Sequence, residues 1–467
     1  MRFLIFCLVF QVSTLHSQTV GVVQYEEGVA SGYTVLSPMG FDTTYLIDPC
    51  GNAIKKWPSA HKNAMFAAIT PKGTLVKSAL DPNTSHFVGG GASGILLEYN
   101  WDGKLLWEYK ISDSTQRLHH DLEVLSSGNI LAVAWEIKSY EECVQAGGDP
   151  ENVPSEGLWF TVVYEIQPVY PESANIVWEW HAWNHLVQDF DKSVDNFGTV
   201  SSSFRRVDIN KGISKRKGKR KGKNDWAHIN GIHYNPTLDH IALSAPKFNE
   251  IWIIDHSTTS NEAATSGGGT RGKGGDLLWR WGNPASYNSG SSKEQELFFQ
   301  HNCEWVEVGT RFKDQISVFS NRDHDDTVKV SKVKIIDAAF DVTKNEYPMA
   351  NGKFLPNKAS YTYQLVDSLH SPRISGVQVL PNDNLLICSG SNGHLIEIDR
   401  EENVLWQYLV PISQKGMIAT QGATLPKKKS IFTVHKYPLD YEGFKNRLFN
   451  SEGQIERSPI PCSGPFE

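Results

Sequence analysis

The chain is 467 residues long, carries a net charge of −7, and contains 14 tryptophans, 16 tyrosines and 21 phenylalanines. The mild negative charge gives no support to nucleic acid as the main partner, and the aromatic residues favour packed sheets over helix bundles. The length would suit two or three average domains, but an all-β propeller of this size is a single domain.

The N-terminal segment 1–17 predicts a cleaved secretory signal peptide. Arg2 supplies a positive charge, Phe3–Val12 an apolar core, and a plausible cleavage site precedes Gln18. A membrane anchor is the alternative, but about 10 apolar residues are too few to span a bilayer. We therefore expect a secreted or periplasmic protein without a membrane span, with one mature domain over 18–467.

Export makes disulfide bonds possible. An odd number of cysteines follows the signal segment, so at least one has no partner within the chain. The sequence leaves their pairing open, and it contains no C-x-x-C motif. These cysteines are Cys50, Cys143, Cys303, Cys388 and Cys462.

Two patterns recur along the mature chain. The first is a strand, an acidic residue, a glycine turn and a strand ending in Trp or Tyr, as in Leu97–Gly103 followed by Trp107. The second is a hairpin with a tight turn such as Pro71–Gly73. Together they suggest six units and predict a six-bladed β-propeller, whose blades bury a face only against their neighbours. A β-sandwich is the alternative, which the fixed order of the repeats disfavours.

Two insertions interrupt the repeats. Residues 211–224 hold the basic run Lys215–Lys223, which we interpret as a solvated loop or, alternatively, as a device that steers anionic substrates. Residues 257–275 are rich in Gly, Ser and Thr and predict a flexible loop. Near the C-terminus, Ile431–Val434 is expected to complete a blade with N-terminal sequence.

Three histidines hold equivalent places in three of the units. His120, His228 and His301 each come just ahead of an apolar-alternating run, where an inner strand begins. Inner strands of a propeller start at the mouth of its channel, so the three side chains should face one another. Such a site could bind a metal, or one histidine could act as a nucleophile beside groups that stabilise an anion.

Four further residues are candidates for substrate binding. His119 precedes His120 in one motif, and Asn230 lies two residues beyond His228 on the same strand face. Arg322 ends the strand pair that begins at His301, so it could approach the same mouth. The fourth candidate, a lysine, follows from the resemblance described next.

Five motifs follow one another in a fixed order along the chain. They are His119-His120-Asp121, Asp225-Trp226-x-His228-x-Asn230, Gln300-His301, Gln378-Val379-Leu380-Pro381-x-x-Asn384 and Val434–Tyr441. From about Gly32 to Arg447, the chain thereby resembles the bacterial arylsulfate sulfotransferase family. That resemblance implies a six-bladed propeller that transfers a sulfuryl group from an aryl sulfate to a phenolic acceptor without a nucleotide donor. It therefore implies small-molecule partners and no cofactor.

The resemblance also implies roles for individual residues. His301 matches the nucleophile, which takes the sulfuryl group covalently, while His120 and His228 bind sulfuryl oxygens or handle the phenol proton. Asn230 adds a hydrogen-bond donor. Family members have an arginine in the strand after the second motif, where this chain has Lys247, which lacks the planar fork of arginine.

Two other functions compete with sulfuryl transfer. A non-catalytic propeller could bind a ligand or protein at its channel mouth, and a metal-dependent enzyme could use the same histidines. The clustering of three histidines favours an active site over an inert module. We predict a sulfotransferase with no metal and no nucleic-acid partner, and the sequence leaves the oligomeric state open.

Overall fold

A computed structural model describes residues 18–83, 86–213, 224–306, 309–324, 327–366, 369–423 and 429–462. The predicted signal segment 1–17 and the basic run Lys215–Lys223 of the insertion 211–224 lie outside these residues. Within the described ranges, no helix is both long and apolar enough to cross a membrane.

Six antiparallel sheets form the blades of a propeller within the described residues, which confirms the predicted all-β fold. The first strand in the chain is β1 (Gly21–Tyr25). Blade one contains β2 (Tyr33–Leu36), β3 (Thr43–Ile47) and β4 (Ala53–Pro58); blade two contains β5 (Asn63–Ile69), β6 (Leu75–Leu80), β7 (Gly94–Tyr99) and β8 (Leu105–Lys110); blade three contains β9 (Gln116–Val124), β10 (Ile130–Lys138), β11 (Leu158–Val169) and β12 (Ser173–His181).

The second half of the propeller is more irregular because short elements are inserted in it. A parallel pair, β13 (Leu186–Val187) and β14 (Val207–Asp208), precedes blade four, which contains β15 (Gly231–Asn235), β16 (His240–Ala245), β17 (Glu250–Asp255) and β18 (Trp279–Trp281). Blade five contains β19 (His301–Trp305), β20 (Ile316–Ser320), β21 (Lys332–Ile336) and, after the hairpin β22 (Met349–Ala350) and β23 (Lys353–Phe354), β24 (Tyr361–Gln364). Blade six contains β25 (Gly376–Val379), β26 (Leu385–Ser389), β27 (His394–Ile398) and β28 (Val404–Leu409), and the last strand is β29 (His435–Tyr437).

Both ends of the chain close the ring. β29 pairs with β2 as the innermost strand of blade one, and β1 pairs with β28 as a fifth, outermost strand of blade six. The prediction that Ile431–Val434 completes a blade with N-terminal sequence is wrong in position. The backbone of this segment hydrogen-bonds to blade six instead. The N–H of Ile431 donates to the carbonyl of Gly390, and the carbonyl of Phe432 accepts from Ser375.

The recurring Trp at the end of an outer strand has a specific contact. In five blades its indole N–H donates to a backbone carbonyl between the outer strands of the next blade, or at their edge, and each such ring is buried. In blade five, which lacks this Trp, the hydroxyl of Tyr361 donates to Glu402 of blade six at 2.9 Å. The donors and acceptors are Trp57 to Asn100, Trp107 to Ser173, Trp180 to Gly275, Trp279 to Leu355 and Trp406 to Pro49.

The helices are short and lie outside the blades. Among the residues that the structure describes, the α-helices are α1 (Tyr140–Gln145) and α2 (Ser260–Ala263). Single 3₁₀ turns occur at Ala182–His185, Pro284–Tyr287, Ser292–Glu294, Gly390–Asn392 and Glu442–Phe444.

The Gly/Ser-rich insertion 257–275 is ordered, unlike the flexible loop that its composition predicts. It contains α2, which is capped by Thr259 and buries Ala263. The guanidinium of Arg271 donates to Nε2 of His240 at 3.0 Å and to the carbonyl of Leu238 at 2.9 Å. Caps and side-chain anchors of this kind order a segment whose composition alone suggests mobility.

One disulfide bond, between Cys50 and Cys462, joins blade one to the C-terminal tail. The other cysteines of the described residues, Cys143, Cys303 and Cys388, are buried thiols. The bond therefore fixes the tail that follows the closing strand β29.

Candidate active site

The structure brings the three predicted catalytic histidines together. His120 lies at a bulge in β9, His228 just before β15, and His301 at the first position of β19. The ring centroids of His120 and His228 are 4.5 Å apart. The rings of His120 and His301 lie 6.0 and 6.1 Å from the ring of Phe432. One phenyl ring thus lies beside two imidazoles at the start of the inner strands.

A glycine loop between β6 and β7 makes room for His120. A Cβ on Gly91 would lie 2.0 Å from Cε1 of His120, and the backbone N–H of His120 donates to the carbonyl of Gly91 at 2.7 Å. His120 and His228 both have positive φ, at 51° and 58°, a conformation that costs a non-glycine residue energy. Sequence reasoning missed this loop, although the run Gly89-Gly90-Gly91 was a visible signal of close backbone approach.

Asn321 fixes which nitrogen of His301 carries the hydrogen. Its side-chain amide donates to the carbonyls of Ser371 and Ile374, at 2.8 and 2.6 Å. Its Oδ1 then faces Nδ1 of His301 at 2.8 Å, where it can only accept. The hydrogen must lie on Nδ1, so the lone pair is on Nε2. Burial lowers the pKa of His301 to about 3, so the ring is neutral near pH 7.

His228 is paired with a buried carboxylate. Its Nδ1 contacts Oδ2 of Asp225, while the indole N–H of Trp135 donates to Oδ1 at 3.0 Å. Burial opposes ionisation of Asp225, but the adjoining His228 and then Lys247 hold its pKa below the usual range. The carboxylate therefore accepts from Nδ1 of His228 and leaves Nε2 for the site. His228 is part-exposed whereas His301 is buried, so the site opens past His228.

His119 supports His120. Its Nδ1 lies 2.7 Å from Nδ1 of His120, so one of these nitrogens must donate to the other. The ring of His119 stacks on Trp135 with centroids 4.1 Å apart. Burial, and then the proximity of His228 and His119, lowers the pKa of His120 well below its usual range. His120 is therefore a neutral ring held in place by His119.

Two of the predicted substrate-binding residues brace the backbone of the site. Asn230 is fully buried, and its amide donates to the carbonyl of Gln300 at 2.8 Å, next to His301. The ammonium of Lys247 donates to the backbone carbonyl of Asp225, and burial lowers its pKa. Both side chains thus hold in place the backbone that carries or adjoins the histidines.

Arg322 lies at the entrance. Its guanidinium is 4.3 Å from the ring centroid of Phe299, and that ring lies 6.2 Å from the ring of His228 and 5.8 Å from the ring of His301. Arg322 and Phe299 are both part-exposed. A cation and an aromatic surface therefore stand where a substrate would enter.

The fold and the site together define a β-propeller with a neutral, oriented imidazole beside cationic groups, which suits transfer of a small anionic group. The chain belongs to the arylsulfotransferase (ASST) family, whose model matches residues 41–409. This confirms the predicted family, and membership implies an aryl sulfotransferase that acts on small aromatic substrates.

Comparison with curated proteins found no match. Among solved structures, a protein of unknown function from Bacteroides caccae is 11% identical with a TM-score of 0.43, over 87% of this chain and 99% of that one. A functionally unknown protein from Desulfotomaculum acetoxidans is 9% identical, with a TM-score of 0.39 and coverage of 87% and 99%. The periplasmic gluconolactonase PpgL of Pseudomonas aeruginosa is also 9% identical, with a TM-score of 0.39 and coverage of 87% and 98%. At such low identities and TM-scores, these similarities do not support any inference about function.

Proposed function

We propose that the protein moves a sulfuryl group from an aryl sulfate to a phenolic acceptor through a covalent sulfohistidine at His301. The observation that carries this proposal is the fixed amide of Asn321, because it leaves the lone pair of His301 on Nε2. A neutral imidazole with an oriented lone pair is a competent nucleophile near pH 7.

In the first step, Nε2 of His301 attacks the sulfur of the aryl sulfate. The N–S bond forms, the bond between sulfur and the aryl oxygen breaks, and the phenolate leaves with its electron pair. His228 in its protonated form gives that phenolate the proton from Nε2, and Asp225 stabilises the imidazolium through Nδ1. The sulfated ring of His301 becomes cationic, and Asn321 stabilises it by accepting from Nδ1–H.

In the second step, the phenol product leaves and an acceptor phenol takes its place. The neutral His228 removes the acceptor proton, the phenolate oxygen attacks sulfur, and the N–S bond breaks. His301 returns to its neutral form and His228 to its protonated form, so atoms, charge and protons balance over the cycle.

The neighbouring groups stabilise negative charge on the sulfuryl oxygens. We assign this role to His120 and to the guanidinium of Arg322, whereas Asn230, Lys247 and His119 position the residues that react. Replacing His120, a charge-stabilising donor, or His228, the general acid and base, with Ala should slow the reaction by about 10²- to 10³-fold.

Intact-protein mass spectrometry tests the covalent step. The protein is incubated with 4-nitrophenyl sulfate without acceptor, and a mass increase of one sulfuryl group with release of one equivalent of nitrophenol is expected. His301→Ala should show neither, while His61→Ala, at a part-exposed histidine beside Glu108, should show both. A mass increase that persists in His301→Ala would contradict the assignment.

The same assay separates sulfuryl transfer on histidine from metal catalysis. Treatment with a chelator should leave the rate and the mass increase unchanged. Loss of activity on chelation, with recovery on adding zinc or another divalent ion, would establish the metal-dependent alternative.

We also propose export to the periplasm or the exterior, as segment 1–17 predicts. The bond between Cys50 and Cys462 supports this proposal, because disulfides persist mainly in oxidising compartments. N-terminal sequencing of the exported protein should begin at or near Gln18. Retention of Phe3–Val12 in a membrane fraction would contradict it.

A further inference from the structure

Arg117, on β9, is a buried arginine that the proposed sulfuryl transfer does not use. Nε and Nη2 donate to the backbone carbonyl of Ser93 at 3.3 and 2.9 Å, Nη1 to that of Phe87 at 3.2 Å, and Nη2 to that of Asp81 at 2.9 Å. All three carbonyls belong to the glycine loop that joins β6 to β7. One guanidinium thus holds this loop at its start, in its middle and at its end.

The shape of arginine explains how one side chain reaches three carbonyls. A guanidinium is planar and carries five N–H donors in a fixed fork, whereas the ammonium of lysine is a point charge on a flexible stem. Asp81 supplies negative charge near the guanidinium, and its carboxylate also contacts Nζ of Lys110 at 2.9 Å. The buried cation therefore has a counter-charge, and its donors hold the loop.

Aromatic rings hold the middle of the same loop. Phe87 is fully buried, with its ring centroid 6.1 Å from that of Trp135 and 5.1 Å from that of Trp159. A Cβ on Gly89 would lie 3.2 Å from Cη2 of Trp135, so a larger residue there would press on the indole. Trp135 lies directly opposite Arg117 across β10 and β9, and opposite residues share one face of a sheet. Two side chains from one face of blade three therefore anchor the loop.

From these anchors the loop reaches two histidines of the site. The carbonyl of Gly91 accepts from the N–H of His120 at 2.7 Å, and a Cβ on Gly91 would lie 2.0 to 2.3 Å from three atoms of the His120 ring. A Cβ on Gly90 would lie 4.0 Å from Cε1 of His228. His120 has a positive φ of 51°, a strained conformation that persists only where its surroundings hold it. The contact with Gly91 is part of those surroundings.

We propose that Arg117 is a positioning residue that sets the place of His120 through the glycine loop. This inference rests on the proposed function, in which His120 stabilises charge on the sulfuryl oxygens. Without the guanidinium, the carbonyls at both ends of the loop lose their donors, and Gly91 no longer holds the backbone of His120. The imidazole is then displaced from the sulfuryl oxygens, and a displacement of about 1 Å can lower a rate by on the order of 10²-fold.

Rapid mixing with 4-nitrophenyl sulfate, without acceptor, separates positioning from stability. The amplitude of the nitrophenol burst counts the folded, competent molecules, whereas its rate constant reports the sulfation of His301. Arg117→Gln should lower that rate constant by about 10- to 10²-fold. Arg205→Gln removes a guanidinium that donates to the carbonyls of Leu277 and Leu278, in another part of the fold. This control should leave the rate constant within about twofold of wild type.

A pair of glycine variants tests the loop itself. Gly91→Ala places a methyl group against the ring of His120 and should slow the burst as Arg117→Gln does. Gly103→Ala adds the same methyl group at a similar φ, 90° against 84°, but with no atom within 4 Å. This second control should keep the wild-type rate constant. The double variant Arg117→Gln/Gly91→Ala should be within about twofold of the slower single variant, because both changes disturb one contact.

The signals of the histidine rings test the positioning of His120 without any turnover. In protein labelled with ¹³C at Cε1 of histidine, the His120 signal is the one that is lost in His120→Ala. It should shift in Arg117→Gln and in Gly91→Ala. It should stay in place in Arg205→Gln and in Gly103→Ala.

Three outcomes would overturn the proposal. These are a burst that loses only amplitude in Arg117→Gln, rate losses that multiply in the double variant, and a His120 signal that does not move. A wild-type protein with neither burst nor mass increase would contradict sulfuryl transfer instead, and the His120 signal would then decide the role of Arg117. If thermal melts show that Arg117→Gln is unfolded, Arg117→Lys replaces it with the same expectation, because lysine keeps the charge but lacks the fork.

Discussion

Two histidines of this protein differ in charge near pH 7, one neutral and one cationic, and their hydrogen-bond partners differ too. Nδ1 of His301 faces the neutral amide of Asn321, and burial lowers its pKa to about 3. His256, near the rim between blades three and four, lies between Asp239 at 2.8 Å and Glu165 at 3.0 Å. Burial would lower its pKa too, but these two hydrogen bonds raise it to about 9.

The comparison shows that the hydrogen-bond partners of a histidine, together with its burial, decide its charge and therefore what it can do. Two carboxylates keep His256 cationic near pH 7, so that it joins Glu165 of blade three to Asp239 of blade four. An amide acceptor leaves His301 neutral, with an oriented lone pair. His228 contacts one carboxylate through Nδ1 and keeps Nε2 for the site, a geometry that suits proton transfer.

The largest expected difference between the two histidines is in catalysis. His301→Ala should lower kcat/KM by at least about 10⁴-fold, as removal of a covalent nucleophile does. His256→Ala should keep kcat/KM within about twofold, because its contacts are far from the site. Steady-state rates with 4-nitrophenyl sulfate and a phenol decide this. Near-normal turnover in His301→Ala would contradict the assignment of His301 as the nucleophile.

A second pair of variants compares two histidine–aspartate contacts. Asp225→Asn removes the carboxylate that orients His228, so kcat/KM should fall by about 10²- to 10³-fold. Asp276→Asn makes the same change beside His185, whose Nδ1 lies 2.8 Å from Asp276 outside the site. Activity of that control should stay near wild type once its fraction folded is verified by circular dichroism. Equal losses in the two variants would mean that the effect is structural.

Asn321→Asp should make His301 easier to protonate, because it places a carboxylate beside the ring as in His256. A carboxylate on Nδ1 favours the imidazolium, so the pKa of His301 should rise by about 1 to 3 units and activity should be lost at acid pH. The wild-type ring, with a pKa of about 3, should show no such loss near pH 5. The pH profile of kcat/KM measures this, with the exposed Asn175→Asp as the charge-matched control. A profile that does not move would contradict the role of Asn321.

The smallest effect is on stability. The folded pKa of His256, about 9, exceeds the unfolded value, so its stabilisation is fully present below about pH 6.5 and is lost as pH rises through about 9. His256→Gln should therefore lower the free energy of unfolding by roughly 2 kcal/mol at neutral pH. Denaturant titrations of both proteins should converge near pH 10. A gap that stays constant with pH would show that packing, not charge, is lost.

The sequence by itself determined the fold and predicted which three histidines come together. Trp-ended outer strands recur in five of the six blades, and each of these indoles hydrogen-bonds to the next blade, so a local sequence pattern reflects the closed ring. The equivalent positions of His120, His228 and His301 in the repeat predict their convergence, since symmetry about the axis turns equal places in sequence into one place in space.

Only the tertiary structure decided how those histidines are held. Asn321 and Gly91 reach them from other strands or loops, and no short-range pattern links such partners. Asp225 is the exception, since it lies three residues before His228. Asn230 was predicted to bind substrate, but its amide donates to the backbone carbonyl of Gln300. The insertion 257–275 contains a capped helix that its composition does not indicate. Neither contact could be read from the local sequence. Hydrogen-bond partners depend on side-chain positions that packing fixes only after distant parts of the chain meet. Local periodicity determines strands and repeats, whereas protonation and tautomer are set by these non-local contacts.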